Sequence, residues 1–114
     1  MTAVRGLLGK ASVPLTTTNT KVYTVPDTGI LFTTAHIRIC STAGSTDPCK
    51  VWIYIASSDT PTEEDLIENE VSLNYGAVLE RTCILLAPGE RIIVRASGTT
   101  AGNVNVRIDG LEQA

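Results

Sequence analysis

Aromatic side chains are scarce: the 114 residues hold one Phe, one Trp and three Tyr. A core must therefore come from Val, Ile, Leu and Ala, which suits a thin sandwich of short strands. The same scarcity removes the usual stacking platform for sugars. There is a single histidine and no Cys-x-x-Cys spacing, so a structural zinc site has no support, and no other cofactor motif is present. The three cysteines, Cys40, Cys49 and Cys83, are an odd set. Without a secretion signal they are expected as reduced thiols, the alternative being a Cys40–Cys49 disulfide, which needs Cα atoms within about 7 Å. No apolar stretch approaches the ~18 residues of a spanning helix, so no membrane partner is expected. Arg5 is followed only by Gly6-Leu7-Leu8-Gly9, short of the ~7-residue apolar region of a signal peptide, and synthesis in a cytosol is the expectation. Basic charge is not in excess either. Nine Lys and Arg against twelve Asp and Glu give a net charge of -3, and with a pI near 5.0 and scattered cations nucleic acid is not an expected partner.

What the chain does have is period-two alternation. From Ile30 to Cys40 the odd positions Leu31, Thr33, Ala35, Ile37 and Ile39 are mostly apolar, while Thr34, His36 and Arg38 are polar. After the polar stretch Ser41 to Pro48 the pattern restarts with Val51, Ile53 and Ile55 against Lys50, Trp52 and Tyr54. This predicts two paired strands with one buried face, Cys40 and Cys49 lying near the mouth of their hairpin. Further strands are predicted at 5–11, 21–25, 68–73, 77–86 and 91–97. A last one follows Gly102, with Val104, Val106 and Ile108 inward and Asn103, Asn105, Arg107 and Asp109 outward. Pro26-Asp27-Thr28-Gly29 and Ala87-Pro88-Gly89-Glu90 are turns with a mechanism, since Pro presets φ and Gly accepts positive φ. One helical turn is predicted near 61–67, with Thr60 or Thr62 as cap and Pro61 at the first position. The length suits one domain. The fold class is all-β: a single antiparallel β-sandwich of about eight strands, jelly-roll or immunoglobulin-like. Residues 1–20 form an N-terminal arm or an edge strand, and residues 21–114 the sandwich.

The residues that carry chemistry are few. His36 stands on the outer face without a nucleophile or carboxylate motif beside it, so no catalytic residue is assigned and no enzyme is expected. Asp59, Glu63, Glu64, Asp65 and Glu68 resemble a hard-cation site but lack a calcium-loop pattern and read as a solvated acidic loop. Trp52 and Tyr54 lie on the face opposite Val51 and Ile53, and Ile93 lies opposite Ile92 and Val94. Together these three would form a patch too apolar to leave wet, and they are the candidate interface anchors. Leu7, Leu8 and Val13 are the candidate arm contacts, acting if the arm adds to a neighbour's sheet edge.

Several segments, taken in order, resemble a family of small bacteriophage virion proteins. They are Arg5-Gly6-Leu7-Leu8-Gly9-Lys10, Val22-Tyr23-Thr24-Val25-Pro26, Ile37-Arg38-Ile39-Cys40, Ile55-Ala56-Ser57, an acidic Thr/Pro loop, and Leu85 through Ser97. Together they span about 100 of the 114 residues. Cys49 beside Cys40 departs from the one cysteine expected there. The resemblance implies a non-enzymatic β-sandwich module encoded among head, neck and tail genes, with no cofactor. It further implies a homo-oligomer, a trimer as first expectation, held on the virion exterior against capsid or tail proteins. A host-surface glycan-binding module of a tail or fibre is the competing expectation.

Overall fold

The computed structural model describes residues 3–42, 48–98 and 102–114. Eight strands follow one another: β1 (Arg5–Pro14), β2 (Thr20–Thr24), β3 (Phe32–Ser41), β4 (Cys49–Ala56), β5 (Leu66–Leu73), β6 (Val78–Leu86), β7 (Arg91–Ser97) and β8 (Asn103–Gln113). Among the described residues a single 3-10 turn, Glu63–Asp65, precedes β5. The strands form two antiparallel four-stranded sheets, ordered β1-β8-β3-β6 and β2-β7-β4-β5. First pairs with last, second with seventh, third with sixth and fourth with fifth. That nested pairing is the jelly-roll form of the β-sandwich.

The alternation seen in the sequence sets the faces. Ala35, Ile37 and Ile39 of β3, Val104, Val106 and Ile108 of β8, Val51 and Ile53 of β4, and Ile92 and Val94 of β7 meet between the sheets. Leu31, expected inward, sits ahead of β3 and is 70% exposed. The expected hairpin between 30–40 and 49–57 does not form. β3 pairs with β8 and β6, whereas β4 pairs with β7 and β5 in the opposite sheet. Period two fixes which face of a strand is buried but not its neighbour, and the 42–48 connection is long enough to cross the ~10 Å between packed sheets. The three cysteines are free: Cys49 is buried, Cys40 half-buried and Cys83 exposed. Most of the polar turn after Ser41, at 43–47, and the 99–101 part of the turn before β8 lie outside the described residues.

The turn chemistry is as the residues require. Glu90 N–H donates to the Ala87 carbonyl at 3.1 Å, and Gly89 between them has φ +84°. Pro88 and Gly89 thus occupy the two central positions of a type II turn. In the helical turn the cap is Thr62, whose N–H donates to the Asp65 carboxylate at 2.8 Å.

Each of the four edge strands carries an extra residue, and β5 a second, Ile67, between the partners of Ile53 and Tyr54. Leu8 in β1 and Val22 in β2 are unmatched, Thr82 and Cys83 of β6 face His36 alone, and Asn69 and Glu70 of β5 face Trp52 alone. The inner pairs β3–β8 and β4–β7 run without interruption. Cys83 (φ +58°) and Glu70 (φ +55°) adopt the left-handed conformation at their bulges. Such bulges twist a strand and spoil it as a template for further pairing.

Candidate functional site

The two outer faces of the sandwich have different fates. On the β2-β7-β4-β5 face, the chain between β4 and β5 folds back over its own sheet. Asp59 ties it down: its Oδ1 accepts from Arg91 Nη1 at 2.5 Å and from Lys21 Nζ at 3.2 Å. The Arg91 guanidinium first, and then Lys21, hold the Asp59 carboxyl below its ordinary value. Beneath this cover Tyr54, Ala56 and Ile93 form a second small apolar cluster, with Trp52 and Leu66 packed against it. Arg95 stacks on Trp52, its guanidinium carbon 4.3 Å from the ring centroid, a cation–π contact. A groove of about 340 Å³ remains between Trp52, Pro61, Glu63 and Asn69.

This corrects the expectation of an open anchor patch. Ile93 is 1% exposed and Tyr54 7%, both closed off within the chain, and Trp52 alone of the three keeps a partly open surface. Three of the five acidic residues are likewise engaged locally, whereas Glu63 and Glu64 are exposed. Asp59 holds the cover, Glu68 pairs with Arg81 across the sheets and Asp65 caps the turn. Among the described residues no group of three or more His, Cys, Asp or Glu is placed to hold a metal ion.

At the N-terminus, Arg5–Pro14 takes the edge-strand alternative and pairs with β8 along its whole length. Val13 is fully buried in the main core, so it is a core residue and not an arm contact. Leu8 is half-buried against the same core, and Leu7 alone is exposed.

A buried polar knot fastens this end. The Tyr23 hydroxyl donates to Glu112 Oε2 at 2.6 Å, leaving Thr33 Oγ1 at 3.0 Å to donate to the phenol oxygen. Val4 N–H donates to Glu112 Oε1 at 3.0 Å, and Glu112 N–H to the Val4 carbonyl at 2.9 Å. Glu112, only 5% exposed, thereby has both oxygens satisfied. Burial first, and then the bond to Glu112, push the Tyr23 phenol up to about 12. Sequence reasoning missed this knot. Its one signal is Glu112, which sits at an inward position of the alternating β8 pattern.

The β1-β8-β3-β6 face is open. Residues opposite one another in register share a face, so it can be read row by row. Arg5, Leu111, Thr34 and Leu85 form one row, with Phe32 opposite Gln113 beyond it and Leu7 opposite Asp109 behind it. Leu85 is 68% exposed, and Leu7, Phe32 and Leu111 are exposed as well, which makes this end of the face apolar. His36 follows beside Asp109 and approaches Glu80 Oε2 at 3.3 Å without the alignment of a hydrogen bond. The next row is Lys10, Arg107, Arg38 and Glu80, and the one after is Ser12, Asn105, Cys40 and Val78. These rows border an open groove of about 480 Å³.

No family model and no curated protein matches the chain. A solved structure to which it is similar is the K3 cleaved adhesin domain of Lys-gingipain from Porphyromonas gingivalis w83, at 13% identity and a TM-score of 0.39. The match covers 82% of this chain and spans 58% of that one. At that score the likeness carries no argument about either fold or site.

Proposed function

We propose that this chain is a non-enzymatic structural module of a bacteriophage virion, an oligomer held on the particle exterior as a capsid decoration or as a tail, neck or baseplate component. The reading is supported by the ordered segments from Arg5-Gly6 to Ser97 that resemble small virion proteins, and by a fold that capsid domains share with lectins. The observation that carries the assembly part is the apolar end of the open face. Leu85, Leu111, Phe32 and Leu7 stand together and exposed on one sheet surface. Burying them would stabilise a contact by about 25 cal/mol for each Å² removed from water. The anchors of this reading are therefore those four residues, in place of Tyr54 and Ile93. A trimer is the expected state, and many copies on a repeating lattice gain avidity with no new contact per copy.

Two measurements test the proposal. Sedimentation velocity should show an oligomer that Leu85→Lys combined with Leu111→Lys converts to a folded monomer; an oligomer unchanged by both substitutions overturns the assigned face. Density-banded phage particles from the source of the gene should contain the chain in fixed stoichiometry by mass spectrometry. Its presence in the lysate but not in the banded particles would overturn the virion assignment.

A further inference from the structure

The chain is acidic overall, and its nine basic residues divide five to four between the sheets: Arg5, Lys10, Arg38, Arg81 and Arg107 belong to the β1-β8-β3-β6 sheet, and Lys21, Lys50, Arg91 and Arg95 to the other. Three of them fall on one row: Lys10 is the register partner of Arg107, and Arg107 of Arg38. Like charges directly opposite one another on a sheet surface are destabilising. Local carboxylates offset only part of this cost. Arg107 turns to Asp109 at 3.0 Å and Arg38 reaches Glu80 at 3.4 Å, whereas Lys10 has no ion pair among the described residues.

The row borders the 480 Å³ groove, whose surface is shared by the aliphatic stems of those cations with Ser12, Cys40 and Asn105, while Ala11 and Val106 lie beneath it with their side chains toward the core. Asn103 Nδ2 donates to Ser12 Oγ at 2.7 Å, which fixes that hydroxyl at the rim. A volume near 480 Å³ is within the range of small-molecule sites, roughly 300–1,000 Å³, and exceeds what one bare oxyanion would fill. A ligand suited to it has an anionic group for the cations, an apolar face for the aliphatic lining and hydroxyls for Asn105 and Ser12. From this arrangement we infer that the groove is a binding site for an acidic saccharide, its sulfate or carboxylate set against Lys10 and Arg107. No aromatic side chain lines the groove, so the saccharide is held by charge and hydroxyl contacts and not by ring stacking, and a nucleic acid strand has no platform for its bases.

The site is separate from the assembly surface of the proposed function. Arg107 and Leu111 are four residues apart on β8, about 13 Å along the strand. The test is isothermal titration of the full chain with three probes: a sulfated uronate-containing disaccharide, the same disaccharide without sulfate, and inorganic sulfate. Amide chemical-shift mapping accompanies it. The sulfated disaccharide should bind and shift the amides of Lys10, Asn105 and Arg107. Lys10→Gln and Arg107→Gln should each weaken it about ten-fold, the loss of one charge-assisted contact. Equal binding of the unsulfated disaccharide would support the site with the carboxylate as the recognised group. No binding of either disaccharide, equal binding of inorganic sulfate, or indifference to both substitutions would overturn the inference. Neither exposed substitution should lower the thermal midpoint, since each relieves a like-charge pair, or change the oligomeric state, which keeps failure of this site distinct from failure of the assembly reading.

Discussion

Tyr23 shows how a single side chain can hold two sheets and a terminus together. Its hydroxyl comes from β2, Thr33 from β3, Glu112 from β8, and the backbone of Val4 completes the set. Tyr23→Phe would leave a buried carboxylate oxygen and a buried hydroxyl short of a partner, a cost of about 1–3 kcal/mol by chemical denaturation at neutral pH. The wild type also carries a pH signature. A phenol whose folded value is raised from 10.0 to about 12 binds its proton more tightly in the native state. Its contribution is complete below 10 and is lost as the pH climbs from 10 through 12. The difference in stability between wild type and Tyr23→Phe should therefore shrink across that window. None of this was legible beforehand, because the partners are 10 and 89 residues from Tyr23 and no local pattern links them. The inward and outward positions of β8, by contrast, were readable residue by residue, since alternation is a local property of the strand.

Among the elements, the strands themselves were legible and their partners were not. The alternation in β3 and β4 gave each strand and its buried face correctly, yet the pair belongs to opposite sheets, because a loop between strands looks the same whether it closes a hairpin or crosses the sandwich. The cover over the β2-β7-β4-β5 face was invisible for a related reason: Trp52, Tyr54 and Ile93 point outward, and only the path of residues 57–66 buries two of them. Asp59 is the fastener of that path. Asp59→Ala should alter the emission of Trp52, the only tryptophan, at neutral pH. In the wild type the tie is intact above 3.8, the ordinary carboxylate value, and is released as acid titrates the lowered group; the same emission change should appear there and be absent from the variant. The bulge in β6 makes a second prediction. Cys83 holds φ +58°, a conformation that costs an L-residue about 1–2 kcal/mol, against about 0.5–1 kcal/mol for the added freedom of glycine. Cys83→Gly should leave stability equal or up to about 1 kcal/mol higher by denaturant titration, and deleting Cys83 should remove the bulge, pair Thr82 with His36 and leave the faces of the rest of β6 as they are.

For the molecule as a whole, the ends of the chain are neighbours. β8 lies between β1 and β3, so the last strand is central to its sheet. Removing residues 103–114 should abolish cooperative unfolding by circular dichroism, since β1 loses its sole sheet partner and β3 one of its two. Removing residues 1–14 strips Val13 from the core and the Val4 tie from Glu112, so a change of oligomeric state in such a truncation would report on folding as well as on assembly. Face substitutions such as Leu85→Lys separate the two. The bulges on all four edges bear on what the molecule can become in concentrated solution. An edge that cannot template a further strand closes the route by which sheets lengthen into fibres. Copies packed at high density should accordingly meet face to face, as tiles do in a floor, and not as links in a thread.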